Sequence, residues 1–396
     1  MSTTLETNDD VRRAYETDAS GLCCRPDAVA RPATIAEVIE VLREASAART
    51  PVTPAGGQTS TTAASICDHG ILLSLGALAG VEVDAEARVV RAGPGARVAE
   101  VKRAAAGEGL LFAPDPTSEE ECTIGGAIAC NASGARTLKY GPVRPHVRAL
   151  RVALVDGRVV ELRRSGLEKN TVGYALAQDP VDWFIGSEGT LGVVLEAELQ
   201  LLPLPASVVG IAIPFASEDA ALGFVAAARE SSAVRPRCLE YFDAPAGAIA
   251  WGADGQPGWA AAAQATVYVE QELPDGDRDA ALDGWLALAD AHRAHDDLRV
   301  FEGEGALREA RRMRHAVPAT MNDRGARCRA EGGRKISTDW SVPYRRLTEA
   351  IAAARAIARA HGLEPPVIYG HAGNGHPHEN FIARNAGEAA AIEAAV

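Results

Sequence analysis

Three of the nine histidines fall within eight residues, in Tyr369-Gly-His-Ala-Gly-Asn-Gly-His-Pro-His-Glu-Asn-Phe381. Surface histidines do not cluster in this way. A neutral imidazole is the commonest nitrogen ligand for a transition metal and a common proton carrier. Glycines between the imidazoles let the chain double back, so that His371 and His378 can converge. Metal binding, proton transfer, or both are the chemistries this stretch offers.

Three glycine loops in the first half offer something different. Thr53-Pro-Ala-Gly-Gly-Gln-Thr-Ser-Thr-Thr62 has two glycines, then hydroxyl residues, and no charge. That suits a phosphate or pyrophosphate held by main-chain N–H and Ser/Thr hydroxyl donors. A longer stretch runs from Pro114 to Gly134 and closes on Lys139-Tyr-Gly141, with small residues throughout. Phe184-Ile-Gly-Ser-Glu-Gly-Thr-Leu-Gly-Val193 spaces its glycines by three. One such loop is weak evidence, because turns also select glycine. Three imply a large ligand with several phosphate and carbonyl oxygens. No strand leads into Gly-x-Gly-x-x-Gly, which argues against a nicotinamide dinucleotide.

These loops need elements to hold them. Arg31 to Arg49 reads as a helix, with Thr34 and Glu37 as a capping box and Ile35, Val38, Leu42 and Ala45 on one face. Strands are expected at 71–75, 81–83, 88–91 and 193–201, with a hairpin turning at Asp156-Gly157. Leu202-Pro-Leu-Pro205 stops the last strand and marks a domain boundary. Beyond it, strand-like pieces alternate with alanine-rich helices, and glycine thins out. The fold class is α+β. A first domain, 1–205, contains subdomains of about 27–109 and 110–205. A second, 206–396, is an antiparallel sheet with helices on one side.

Composition narrows the function. The 396 residues carry a net charge of −13, which argues against a nucleic-acid partner. No apolar run approaches a membrane span, and Met1–Ser20 lacks the apolar centre of a signal peptide, so the expected location is cytoplasmic. Seven cysteines without CxxC spacing exclude an iron–sulfur cluster and a cysteine zinc site.

The order Pro54-x-Gly-Gly-x-Thr-Ser60, Asp115-Pro-x-Ser118, Thr123-Ile-Gly-Gly126, Asn131-Ala-x-Gly134, Tyr140-Gly141, Lys169-Asn-x-x-Gly-Tyr174 and Gly186-Ser-Glu-Gly-Thr-Leu-Gly192 resembles the FAD-linked oxidases of the vanillyl-alcohol-oxidase type. Within them it is most similar to the D-2-hydroxyacid dehydrogenases. The resemblance implies a two-subdomain FAD-binding domain followed by a substrate, or cap, domain. It places the cofactor on Pro54, Gly56, Gly57, Gln58, Thr59, Ser60, Pro116, Thr117, Ser118, Thr123, Gly125, Gly126, Asn131, Ser133, Gly134, Tyr140, Gly186, Glu188, Gly189, Gly192 and Val193. Relatives with covalent flavin carry a histidine in the first loop. Here Gly56–Ser60 has none and His69 lies too far along, so FAD is expected to be noncovalent.

The same resemblance implies that His371 and His378 bind a divalent metal such as Zn or Mn. The family signature reads His-x-Gly-Asp-Gly-Asn-x-His, and this chain has Asn374 for the aspartate and His376 for the asparagine. His376 is thereby a further ligand or, with His378, a candidate base. Arg314 matches an arginine that holds the substrate carboxylate, a task suited to a planar fork. Lys335 is a second anion-binding candidate. Relatives continue into a Glu-His-Gly segment, whereas this sequence stops at Val396. The second domain is therefore read as lacking that segment.

The expected reaction is FAD-dependent oxidation of a small D-2-hydroxy acid to the 2-keto acid, with an electron acceptor the sequence does not identify and a homodimer as the assembly. Two alternatives stay open. One is a flavin-dependent alkyl transferase like alkylglycerone-phosphate synthase; the other is a non-catalytic flavin-fold subunit of an oxidase complex.

Overall fold

The computed structural model describes residues 4–166, 169, 179–252, 259–273 and 277–396. The chain divides into two compact units: Met1–Gly134 with Gly141–Leu204, and Ala135–Tyr140 with Pro205–Val396. All seven cysteines are free thiols. Among the described residues, no helix is long and apolar enough to cross a membrane.

In the first unit, strands Ala28–Ala30, Ile71–Ser74 and Val52–Ala55 form a parallel sheet in that order. Helix Ile35–Ala48 packs on it through Val38, Val41, Leu42 and Ala45, and Thr34 and Glu37 cap the helix reciprocally. A second, antiparallel sheet runs Val81–Asp84, Val89–Ala92, Val193–Gln200, Val147–Ala153, Val159–Arg163. The sequence reading placed residues 81–92 in a subdomain ending near 109. The structure instead pairs Val89–Ala92 with Val193–Gln200. An isolated hairpin is marginal in water, and Val90 is fully buried in one core with Leu150 and Leu199.

The second unit is built on a seven-stranded, wholly antiparallel sheet. Its order is Arg299–Glu302, Ser207–Phe215, Ala265–Leu273, Pro236–Asp243, Val367–His371, His376–Asn385, Gly332–Asp339. Helices cover both faces, which corrects the expectation of one. Val209, Ile211, Ile213 and Phe215 face helices Glu218–Glu230, Arg278–Ala291 and Leu347–Ala360. Ala212, Cys238, Phe242 and Tyr268 face helices Ala244–Trp251 and Gly303–Arg327. The signal lay in Val208–Phe215, apolar at consecutive positions as a strand buried on both faces must be. Strand Gly332–Asp339 went unread because Ile336 is its only large apolar residue, as suits a sheet edge.

Candidate functional site

Strand register sets the chemistry of the second unit. Side chains directly opposite one another in a pair of strands share a face. His378 lies opposite both Asp339 and Tyr369, His371 opposite His376, Tyr369 opposite Phe242, and Glu240 opposite Tyr268. One face therefore carries Asp339, all three imidazoles and Glu240. It is the face covered by helix Gly303–Arg327, which bears Arg314.

The imidazoles do converge. Ring centroids are 4.8 Å apart for His376 and His378, 5.2 Å for His371 and His378, and 5.8 Å for His371 and His376. Their partners were not foreseen. His376 Nε2 lies 2.5 Å from Asp339 Oδ1, with His378 Nδ1 3.4 Å from the same oxygen. The hydrogen bonds from His376 and His378 hold the Asp339 carboxyl well below the usual range, against an opposing effect of burial. Burial pushes His378 down, and the bond to Asp339 only partly restores it, so the ring is neutral near pH 7. His371 Nδ1 instead lies 2.8 Å from Glu240 Oε1. The potential metal-holding group is Asp339, His376 and His378, whose ligand atoms lie within 4.8 Å of one another. His371, paired with His378 as a ligand in the sequence reading, is not in that group.

Beneath the imidazoles runs a chain of buried charge. Glu240 Oε2 is 3.6 Å from Arg314, and Arg314 is 3.8 Å from Glu270. Glu270 in turn accepts from Arg237 Nε at 2.7 Å, Arg136 Nε at 3.1 Å and the Tyr268 hydroxyl at 3.0 Å. Burial would raise the pKa of Glu240, but His371 and Arg314 prevail and hold it at about 2. Arg314 stacks 5.1 Å from the Tyr268 ring centre. Its Nε is buried without a hydrogen-bond partner among the described residues, and its neighbouring glutamates stand at ion-pair rather than hydrogen-bond distance. A buried guanidinium in that condition has donors left for an anion. Asn380, on the same face, accepts from Ser337 at 2.7 Å and keeps a buried Nδ2 without a partner among the described residues. Lys335 stands on the Asp339 strand, opposite Ile382, and burial lowers its pKa. No contact joins it to Arg314 among the described residues.

The glycine loops of the first unit also come together. Glu188 donates its N–H to Ala129 and accepts the Thr62 hydroxyl at 2.8 Å, so the third loop touches both others. Asn131 accepts from Arg144 N–H at 3.0 Å, and the Arg144 side chain reaches the Ile185 carbonyl at 2.6 Å. Gln58, Asn131 and Glu188, one in each loop, all adopt left-handed backbone with φ of 50°, 47° and 51°. Such residues shape main-chain concavities that accept anions.

Side chains in these loops mostly bind protein. The Gln58 amide serves the Tyr15 and Ser65 carbonyls, and the Ser60 hydroxyl serves Thr62 and Ala64. Main-chain donors remain: among the described residues, the N–H groups of Gly56, Gly57, Gln58, Thr59 and Ser60 have no protein acceptor. That unpaired row fits the pyrophosphate of FAD.

The middle loop does less than the sequence suggested. Gly125 N–H is taken by the Pro94 carbonyl, and Gly126 N–H by the Thr123 hydroxyl, at the start of helix Ile124–Ala129. Pro116 and Ser118 carbonyls close the turn that leads to Cys122, while Thr117 is exposed. Ser133 is exposed too, and Gly134 packs on the Asp115 main chain. Val193 begins the central strand, and Gly192, just before it, packs against Val152. Tyr140 belongs to the second unit, with Lys139 Nζ 5.2 Å from its ring centre. Of the Lys169–Tyr174 motif, residues 170–174 lie outside the described residues.

Comparison with known proteins agrees with this division. Residues 26–163 match the family described as FAD binding domain, and residues 204–396 match FAD linked oxidases, C-terminal domain. A D-lactate dehydrogenase from Archaeoglobus fulgidus is 30% identical over 358 residues, 89% of this chain and 74% of that protein. The glycolate oxidase subunit GlcD of Bacillus subtilis is 30% identical over 383 residues, 93% of this chain and 76% of its own. A D-2-hydroxyglutarate dehydrogenase from Xanthomonas citri is 36% identical over 221 residues, 55% of this chain and 45% of its own. Among solved structures, an alkyldihydroxyacetonephosphate synthase superposes with a TM-score of 0.76 at 17% identity, over 99% of this chain and 80% of that one. At that identity the likeness speaks for the fold alone.

Proposed function

The chain belongs to the FAD-linked oxidases, and from that premise we propose that it oxidises a small D-2-hydroxy acid to the 2-keto acid. The observation that carries the reading is Arg314, a buried guanidinium with an unused Nε, linked through Glu240 to a cluster of imidazoles. A 2-hydroxy acid asks for that pair of functions: a fork for its carboxylate and a proton acceptor for its hydroxyl.

FAD, when bound, supplies the acceptor for the hydride that leaves the substrate carbon. The N–H row from Gly56 to Ser60 holds its pyrophosphate, and Asn131 and Glu188 hold the loops in shape. Arg314, with Asn380 and Lys335 as further donors on that side of the sheet, binds the substrate carboxylate and fixes its orientation. His371 takes the hydroxyl proton. The ionised Glu240 bonded to its Nδ1 stabilises the imidazolium that results. A divalent metal such as Zn or Mn would lower the pKa of the hydroxyl, and two imidazoles with a carboxylate are a suitable donor set.

The test is anaerobic flavin bleaching across a panel of D- and L-2-hydroxy acids. D-lactate, glycolate or D-2-hydroxyglutarate should bleach the flavin, and L-enantiomers should not. A flavin-loaded protein that no hydroxy acid reduces would overturn the reading and leave the alkyl-transferase and non-catalytic alternatives. Within it, R314K keeps the charge and loses the fork. Its KM should rise at least about tenfold, the worth of one charge-assisted hydrogen bond. An unchanged KM would remove Arg314 from the site.

A further inference from the structure

We propose that residues 4–24 form a strap that sets the shape of the first glycine loop, with Gln58 as the positioning residue joining the two, so that docking of the strap and binding of FAD strengthen each other. The proposal rests on the reading of the Gly56–Ser60 row as the pyrophosphate cradle and adds what holds that row in place.

Gln58 sits where glycine would be more comfortable. Its backbone is left-handed, with φ of 50°, a region that costs any side chain free energy. Such a residue persists where its surroundings over-determine it. Here the side chain supplies the constraint. The amide nitrogen Nε2 carries two hydrogens, and it lies 3.1 Å from the Tyr15 carbonyl and 3.2 Å from the Ser65 carbonyl. Both donors are thereby used on protein. The main-chain N–H of Gln58 belongs to the unpaired row. Side chain and N–H leave the same Cα, so pinning one fixes where the other points.

The Tyr15 anchor lies 43 residues away, in a segment that could not hold itself. Helix Asp9–Ala14 has six residues, none fully buried, and a helix that short is unstable alone in water. Contacts with the parallel sheet hold it instead. Glu6 and Val29 exchange both main-chain hydrogen bonds, at 2.8 and 2.9 Å. Arg31 forks the Glu6 carboxylate at 2.6 and 2.8 Å, and Arg12 Nε donates to the Pro26 carbonyl at 2.7 Å. Val11 and Tyr15 pack on Val29, Ala55 and Leu72, and Ala55 is the residue before Gly56. Beyond the row, the Ser65 hydroxyl donates to Asp18 at 3.0 Å. The strap thus grips the loop before, within and after the N–H row. An element held by few contacts opens readily. FAD on the row holds Gln58, and through it the Tyr15 anchor, so bound flavin slows the opening of the strap. By linkage, the docked strap raises flavin affinity by the same factor.

FAD titration of the stripped protein, and hydrogen exchange over residues 4–24 read by mass spectrometry, test this in the parent, Q58G and G57A, with circular dichroism as the check on folding. Glycine suits φ of 50°, so a purely conformational role for position 58 predicts that Q58G binds FAD like the parent. The strap predicts binding at least about fivefold weaker, the order of two neutral hydrogen bonds lost. In the parent, saturating FAD should slow exchange over 4–24 by a similar factor; in Q58G exchange there should stay fast even when FAD is saturating. Parental affinity in Q58G overturns the proposal, as does exchange in the parent that ignores FAD. Exchange slowed by FAD in Q58G as much as in the parent also overturns it, because the link then bypasses Gln58. If G57A binds FAD like the parent, the cradle reading falls and takes the strap with it. If G57A loses flavin while Q58G keeps it, the cradle stands and the strap alone falls.

Discussion

E270Q unfolds more readily than the parent protein by about 3–5 kcal/mol, the cost of leaving buried charge without its partner. Glu270 has almost no solvent exposure and accepts from Arg237, Arg136 and Tyr268 at 2.7, 3.1 and 3.0 Å, with Arg314 3.8 Å away. Glutamine keeps the shape but leaves buried guanidinium groups without the carboxylate they share. Burial alone would raise the pKa of Glu270. Arg136, Arg237 and Arg314 overcome that and hold it well below the usual carboxylate range. A depressed native pKa makes its stabilisation fully present above the unfolded value, near 4.3. The stabilisation is lost as pH falls from there through the native value. The parent should therefore lose stability below about pH 4.3 more steeply than E270Q. Four of the five tryptophans, Trp251, Trp259, Trp285 and Trp340, lie in the second unit, so urea denaturation followed by tryptophan fluorescence reports mainly on it. A loss under 1 kcal/mol at pH 7 would mean that the arginines find other partners.

What could be read from the sequence, and what could not, follows from range. The Thr34–Glu37 cap, the Asp156-Gly157 turn and the strand after Gly192 are decided by neighbours a few residues apart, and they appear where expected. The three glycine loops were visible as composition, and the histidine cluster as spacing. Its partners were not visible. Asp339 is 37 residues from His376, and Glu240 is 131 from His371. Only strand order and register bring them together. Nothing in Gly332–Asp339, with a single large apolar side chain, announces a strand. Without the strand, Asp339 is one more surface acid. The roles of the glycines were also only half legible. Composition says that bulk is excluded, but not whether a ligand or another main chain takes up the space.

For Gly57 the answer is another main chain, and this makes G57A the sharpest test of the cofactor site. G57A should be purified with little flavin and should bind added FAD at least about tenfold more weakly. A Cβ at Gly57 would overlap the Glu121 carbonyl oxygen and lie 2.9 Å from its carbon and 3.2 Å from Cys122 Cα. These are backbone atoms and cannot rotate aside, so the first loop must lift from the second. An added methyl in a closed space typically costs 1–3 kcal/mol, and each 1.4 kcal/mol is a factor of ten in affinity. The strain falls on Gly57, inside the unpaired N–H row, where a shift misaligns donors on both sides. Gly189 adds a second constraint on the same loop: with φ of 77°, it packs against Pro54, and any Cβ would come 2.5 Å from Pro54 Cγ. G107A is the control, because Gly107 ends helix Val98–Gly107 and its Cβ would meet nothing within 4 Å. The ratio of flavin to protein absorbance after purification, and FAD titration of stripped protein, measure the effect. If G57A keeps stoichiometric flavin and parental affinity, the Gly56–Ser60 row is not the pyrophosphate cradle.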